Sequence, residues 1–193
     1  MLVQKVAPTK EDIESIFSTA NAKGFMRIMG DEDNDIIYSM ITSAFTEANE
    51  RTNRNLVTAT FELYLPSFRN EIPLPKNPVQ EIVSVEYMDM DNNYVVLESA
   101  NYYIYENLGV DTLVFSSHQS VPNHKKAVRI TFKSGYKSTN FPEDLKSWIR
   151  VKVSTLYEYR EEFIVGASIA KTTHVDSVLS RYKIRTFWWE LEN

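Results

Sequence analysis

The stretch from Pro142 to Glu162, PEDLKSWIRVKVSTLYEYREE, limits what the rest of the chain can be. At about 100° per residue, Leu145, Trp148, Ile149, Val153 and Leu156 fall in one wide apolar stripe, while Lys146, Ser147, Arg150 and Ser154 point elsewhere. Pro142 is expected at the first helical position, where its missing N–H is not needed, and Glu143 and Asp144 suit the positive end. A long helix with one apolar side needs another layer to cover it. Lys152 interrupts the stripe. Two accounts fit: its stem lies along apolar surface with the ammonium in water, or it reaches a neighbouring subunit. Tyr157, Tyr159 and Arg160 extend the surface with groups that are apolar along the body and polar at the tip, common in cores and at interfaces alike.

Upstream, Thr9 followed three residues later by Asp12 resembles a capping box and starts a helix over KEDIESIFSTANAK. Ile13, Ile16, Phe17 and Ala20 share a face, and Gly24 is expected to end it. The acidic run GDEDND lacks the regular oxygen spacing and closing glutamate of a calcium loop, so it reads as a charged helix entrance. From there DNDIIYSMITSAFTEANERTNR is helical and apolar on one side, with Arg51 and Arg54 near its negative end.

After Asn55 the period changes to two. Phe61, Leu63 and Leu65 alternate in TATFELYLPSF. Pro73, Pro75 and Pro78 stiffen the next connection and keep it off the middle of a sheet. IVSVEY and YVVLE flank the turn formers Asp91, Asn92 and Asn93, a hairpin signal. NYYIYEN, DTLVFSS and AVRITFKSGY follow as further strands. The expectation is an α+β fold: N-terminal helices, a mostly antiparallel β region of five or six short strands, a long C-terminal helix, and an extended or partly helical aromatic tail. Residues 175–182 read as a short helix. Phe163 to Ala170 is an apolar patch without a clear period. Phe187, Trp188 and Trp189 lie within seven residues of the end of the sequence, where polar, frayed residues are usual. Such a tail docks either on its own core or into a neighbour.

Chemistry is harder to find. With no cysteine among 193 residues, disulfides, thiolate catalysis and sulfur-bound zinc are excluded. His118 and His124 flank a loop at a spacing of no compact ligand pair, and His174 is distant; exposed loop histidines are the simpler reading. Adjacent carboxylates such as Glu143/Asp144 and Glu161/Glu162 diverge around a helix. The five glycines, at 24, 30, 109, 135 and 166, form no phosphate loop, and no G-x-S-x-G occurs. KSGYK at 133–137 could brush a phosphate but serves equally as a strand exit. Net charge is −5, with 6 basic and 9 acidic residues in 1–57, 7 and 9 in 58–140, and 8 and 8 in 141–193. No third is basic enough for a dedicated grip on nucleic acid, although a mildly acidic wall would let DNA slide past. No run is long enough to span a bilayer and no secretion signal is evident, which makes the cytoplasm the default.

Taken in order, DEDNDIIYSMITSAFTEANERTNRNL, IPLPKNPVQEIVSVEYMD, NYYIY, AVRITFKSGY, PEDLKSWIRVKVSTLYEYRE and VDSVLSRYKI resemble the head–tail connector, or adaptor, proteins of tailed bacteriophages, which also occur in prophages and gene-transfer particles. The resemblance runs from about Asp31 to Arg185; the aromatic tail lies beyond it. It implies a non-catalytic structural subunit of a virion-neck ring, usually twelve-fold, assembled in the bacterial cytoplasm. Such a ring self-associates, binds the portal protein and a stopper or tail-completion protein, and surrounds the DNA passage without sequence-specific binding. It implies no cofactor, no metal and no membrane. Residues 1–185 would form one connector-like domain and 186–193 a C-terminal tail. The helices at 34–54 and 142–160 would be wall elements. Lys152, Tyr159, Phe163, Phe187, Trp188 and Trp189 are the interface candidates. Two rival readings remain at this stage: a non-viral protein–protein adaptor, and an enzyme whose site is assembled from distant residues.

Overall fold

A computed structural model describes residues 1–107, 109–159 and 173–184, with backbone alone for 173–176. The chain divides into two compact units, one built on residues 1–8 and 58–136, the other on 9–57 and 137–183.

The first unit is made of strands. In β2 (Ala59–Leu65), Ala59, Phe61, Leu63 and Leu65 are buried. β8 (Val128–Ser134) pairs with it antiparallel, from Ala59 opposite Ser134 to Leu65 opposite Val128. This register sets apolar against apolar along one face, as a period of two requires. Phe61 and Phe132 stack with centroids 5.8 Å apart. On the far side of β8 lies β4 (Val79–Met88), whose register slips twice, between Val79 and Glu81 and between Ile82 and Ser84. β1 (Leu2–Val6) and β5 (Tyr94–Val96) complete an antiparallel sheet in the order β1-β2-β8-β4-β5. The β4–β5 turn is held by Asp89, whose Oδ1 accepts the N–H groups of Asp91 and Asn93, both at 2.9 Å. Asn92 takes the left-handed φ of 64° that such turns require.

A second antiparallel sheet runs β3-β7-β6, from β3 (Glu71–Pro73), β7 (Val110–Phe115) and β6 (Tyr102–Asn107). Pro73 sits in an edge strand, where its missing N–H costs no ladder bond. Residues of both sheets meet in one apolar cluster, in which Phe68 packs edge-on against Phe115 at 5.1 Å. Each fully buried large side chain there contributes roughly 1.5–3 kcal/mol.

All six anticipated strand segments are strands. β1 and β3 are two further ones, both at sheet edges and too short or irregular to carry a period: LVQKV alternates only in part, and EIP is three residues.

The second unit is helical: α1 (Lys10–Ile16), α2 (Thr19–Met26), α3 (Asn34–Thr52), α4 (Glu143–Glu158) and α5 (Thr173–Tyr182). The Thr9–Asp12 capping box is present. The single helix expected over 10–23 is instead two, because Ser18 and Asn21 form a second capping box that competes with continued helix. Gly24 therefore lies inside α2, and the helix ends at Arg27, left-handed with φ of 57°. Pro142 is the residue before the helix and not its first turn; its ψ of 127° is extended, so Glu143 leads. Leu145, Trp148, Ile149 and Val153 are buried from the stripe of α4, and Ile37, Ile41, Ala44, Phe45 and Ala48 from α3. Phe45 meets Phe141 edge-on at 6.1 Å. The 163–170 patch and the 187–189 aromatics lie outside the described residues.

Candidate interaction surfaces

The helical unit is tied together by polar clips between residues far apart in sequence. Glu47 on α3 serves two cations: Oε1 accepts from Arg51 at 3.2 Å, and Oε2 lies 2.7 Å from Lys152 Nζ on α4. The Arg51 guanidinium also lies over the Trp148 ring at 6.0 Å. The acidic entrance of α3 is held from both sides. Lys23 donates to Asp31 at 2.7 Å and to Asn34 at 3.0 Å, and the Tyr157 hydroxyl donates to Asp33 at 2.5 Å. The hydrogen bond from Lys23, with a second that the Asn34 amide donates at 3.1 Å, holds the Asp31 carboxyl below its usual range.

A second clip fixes α5. Asp144, in the first turn of α4, accepts from the Tyr182 hydroxyl at 2.5 Å, from Arg181 at 2.9 Å and from the Leu145 N–H at 2.9 Å. Arg54, just past α3, donates through Nε to the Tyr182 carbonyl at 2.6 Å.

In the β unit, the face of the five-stranded sheet opposite its core carries a charged ladder. Lys5 donates to Glu62 at 2.6 Å, and the Tyr64 hydroxyl donates to Glu62 at 2.7 Å. Arg129 pairs with Glu86 and lies over the Tyr94 ring at 4.3 Å. The Lys5 ammonium keeps the Glu62 carboxyl below the ordinary glutamate range, with burial opposing and Tyr64 assisting. Hydrogen bonding to Glu62, helped by burial, pushes the Tyr64 phenol up.

Of the six interface candidates, two are described. Lys152 is half-buried and answered by Glu47 of its own chain, so it is neither purely snorkelling nor bare. Tyr159 caps α4 and is 55% exposed. Phe163, Phe187, Trp188 and Trp189 lie outside the described residues. The structure adds surfaces that periodicity did not reveal. Met29, between α2 and α3, is 91% exposed, with Phe25 and Ile36 also exposed. In the β unit Val6 on β1, Val95 and Val96 on β5, and Tyr103 on β6 face outward. The sequence signal for the last was the tyrosine run YYIY, which alternates equally well on either face.

His118 and His124 are exposed; His118 stacks on Phe68 at 5.1 Å, and His124 Nδ1 accepts the Lys126 N–H at 3.1 Å. Among the described residues, no group of three histidine, aspartate or glutamate side chains is placed to hold a metal ion. Likewise, no described helix is long and apolar enough to cross a membrane.

No protein-family model matches this sequence, and no curated protein matches it. Solved structures do share its fold. A chain in the neck of an empty gene transfer agent particle, determined with C6 symmetry, is 18% identical with a TM-score of 0.78. A chain in the virion of a native gene transfer agent particle is 18% identical with a TM-score of 0.75, and one in the neck of the native particle with C12 symmetry is 17% identical with a TM-score of 0.72. Each alignment covers 97% of this chain and 98% of the other. The likeness is one of fold, it runs nearly end to end, and it agrees with the connector resemblance read from the sequence.

Proposed function

We propose that this chain is a structural subunit of a head–tail connector ring, joining a portal to a stopper or tail component around a DNA passage. The observation that carries the reading is the near-complete overlap, 97% of one chain on 98% of the other, with a chain in a particle neck. At 18% identity, what the two chains share over this span is the arrangement of their elements, more than their individual side chains. The polar groups of the interior suit a scaffold. Thr52 Oγ1 donates to Ala48, Asn55 to Val57 and Asn77 to Leu74, each to a backbone carbonyl, and Glu62 is engaged by Lys5 and Tyr64. They hold structure, and the subunit acts by presenting surfaces, with no bond made or broken.

In this reading the ring is twelve-fold, sits in the virion neck and is assembled in the bacterial cytoplasm. DNA passes without sequence-specific contacts. Residues 1–185 act as one connector domain. Residues 186–193, with Phe187, Trp188 and Trp189, form an attachment tail, and Lys152, Tyr159 and Phe163 contribute to contacts with neighbours. Co-expression with the cognate portal protein, followed by imaging of the purified complex, tests this. A ring seated on the portal is expected. A monomer that never joins a portal or neck assembly overturns it. Ending the chain at Arg185 should leave thermal unfolding unchanged and weaken portal attachment; loss of the unfolding transition would make the tail part of the core instead.

A further inference from the structure

An open sheet edge is a row of unpaired backbone donors and acceptors, and folded proteins blunt such edges with short strands, prolines, charges or bulges. The β unit has four edges: β1 and β5 in one sheet, β3 and β6 in the other. β3 and β5 are three residues each, and β3 ends in Pro73. The other two are longer, and β6 carries a single charge, Glu106 near its end. β6 pairs with β7 along all six of its residues, without a bulge, proline or lysine. Among the described residues no strand pairs with its outer side, and Tyr103 and Ile104, on opposite faces of the strand, are both exposed. β1 has five residues, an exposed Val6 and one register irregularity against β2, between Gln4 and Val6. Its one lysine pairs with Glu62 at 2.6 Å while its side chain stays 55% exposed, within reach of a second carboxylate.

We propose that β6 of one copy pairs with β1 of the next, so that the sheets of neighbouring subunits join edge to edge around a ring. This rests on the ring reading above and assigns its contact. Rotational symmetry of the kind in which the neck relatives were determined, C6 and C12, joins two different surfaces of each subunit head to tail. β1 and β6 are two such surfaces. β1 lies at the opposite end of the five-stranded sheet from β5, four strand spacings or about 19 Å away. β6 follows β5 after residues 97–101. Charge selects the direction. A parallel alignment that sets Leu2 beside Tyr103 overlaps all of β1 and brings Lys5 beside the exposed Glu106, an attractive cross-strand pair.

The absence of cysteine makes the contact mappable, because any introduced thiol is unique. Rings assembled from a Val6→Cys/Asn107→Cys variant and from a Val6→Cys/Tyr103→Cys variant would be treated with a short bis-maleimide and run under denaturing conditions. A ladder of covalent multimers from the first variant, absent from either single-cysteine chain, is expected. A ladder from the second alone overturns the parallel direction. Rings that give only monomer bands from both overturn the edge contact while leaving the connector reading standing; failure of the unsubstituted chain to form rings removes both. As a second readout, Ile104→Lys puts a charge on the rim. It should raise the concentration needed for ring assembly at least about tenfold with unchanged thermal unfolding of the monomer. An unchanged assembly concentration overturns the proposal.

Discussion

In the β unit, Phe61 and Phe132 stack at 5.8 Å inside an apolar cluster to which both sheets contribute. In the helical unit, α5 is held by Asp144 and Arg54, and α3 is held to α4 by Glu47. Apolar contacts are non-directional and tolerate repacking, so the first arrangement supplies stability without demanding one exact partner for each side chain. Hydrogen-bonded ion pairs contribute less but fix position, so the second arrangement specifies where each helix lies. Evenly spread apolar patterning is visible in a sequence, whereas a clip between residues 47 and 152 is not.

The sharpest way to break this contrast is Phe132→Ala. It removes a fully buried ring and should cost about 3–5 kcal/mol in chemical denaturation followed through the β signal. A loss near 1 kcal/mol would show the cluster collapsing into the gap. Asp144→Ala comes next, at about 2 kcal/mol, because Tyr182 and Arg181 lose a shared acceptor. Its particular signature is faster amide exchange in α5 with little change in the strands; uniform loss of protection would refute a local clip.

Glu62→Gln, at about 1 kcal/mol near neutral pH, probes a charge-assisted contact in the β unit. The folded state holds this carboxyl below its ordinary range through Lys5, so its contribution is fully present above that range. It is lost as pH falls through the depressed value. Wild type should therefore lose stability between about pH 5 and about pH 3 more steeply than the variant, as thermal melts in that window would read. Equal slopes would mean that Glu62 contributes packing alone. The smallest effect is expected from Lys152→Ala, about 0.5 kcal/mol by urea denaturation, since Glu47 keeps Arg51 and both partners are partly in water.

Legibility in the sequence follows the range of the interaction. The capping box at Thr9, the apolar stripes of α3 and α4 and the alternation of β2 and β8 are local patterns, and each formed as read. The break at Ser18 was equally local, with Ser18 and Asn21 in capping positions, but the apolar face continued through it and masked the signal. β1 and β3 depend on strands distant in sequence for their hydrogen bonds, so their own residues say little. The interaction surface was the least legible part. Lys152 stood out as a break in pattern, yet its partner is on another helix. Met29 and Tyr103 of β6 stand out through exposure, which no period encodes.

The sharing of Glu47 between Arg51 and Lys152 has a practical consequence. Three charges in partial contact with solvent are sensitive to ionic strength, whereas stacked phenylalanines are not. Near 1 M salt the screening length falls to about 3 Å, comparable with the separations of 2.7 Å and 3.2 Å in this triad. A concentrated electrolyte would therefore weaken this one clip between α3 and α4, by about the 0.5 kcal/mol expected of the Lys152 substitution, while leaving the buried apolar residues of both helices and the phenylalanine stack in place.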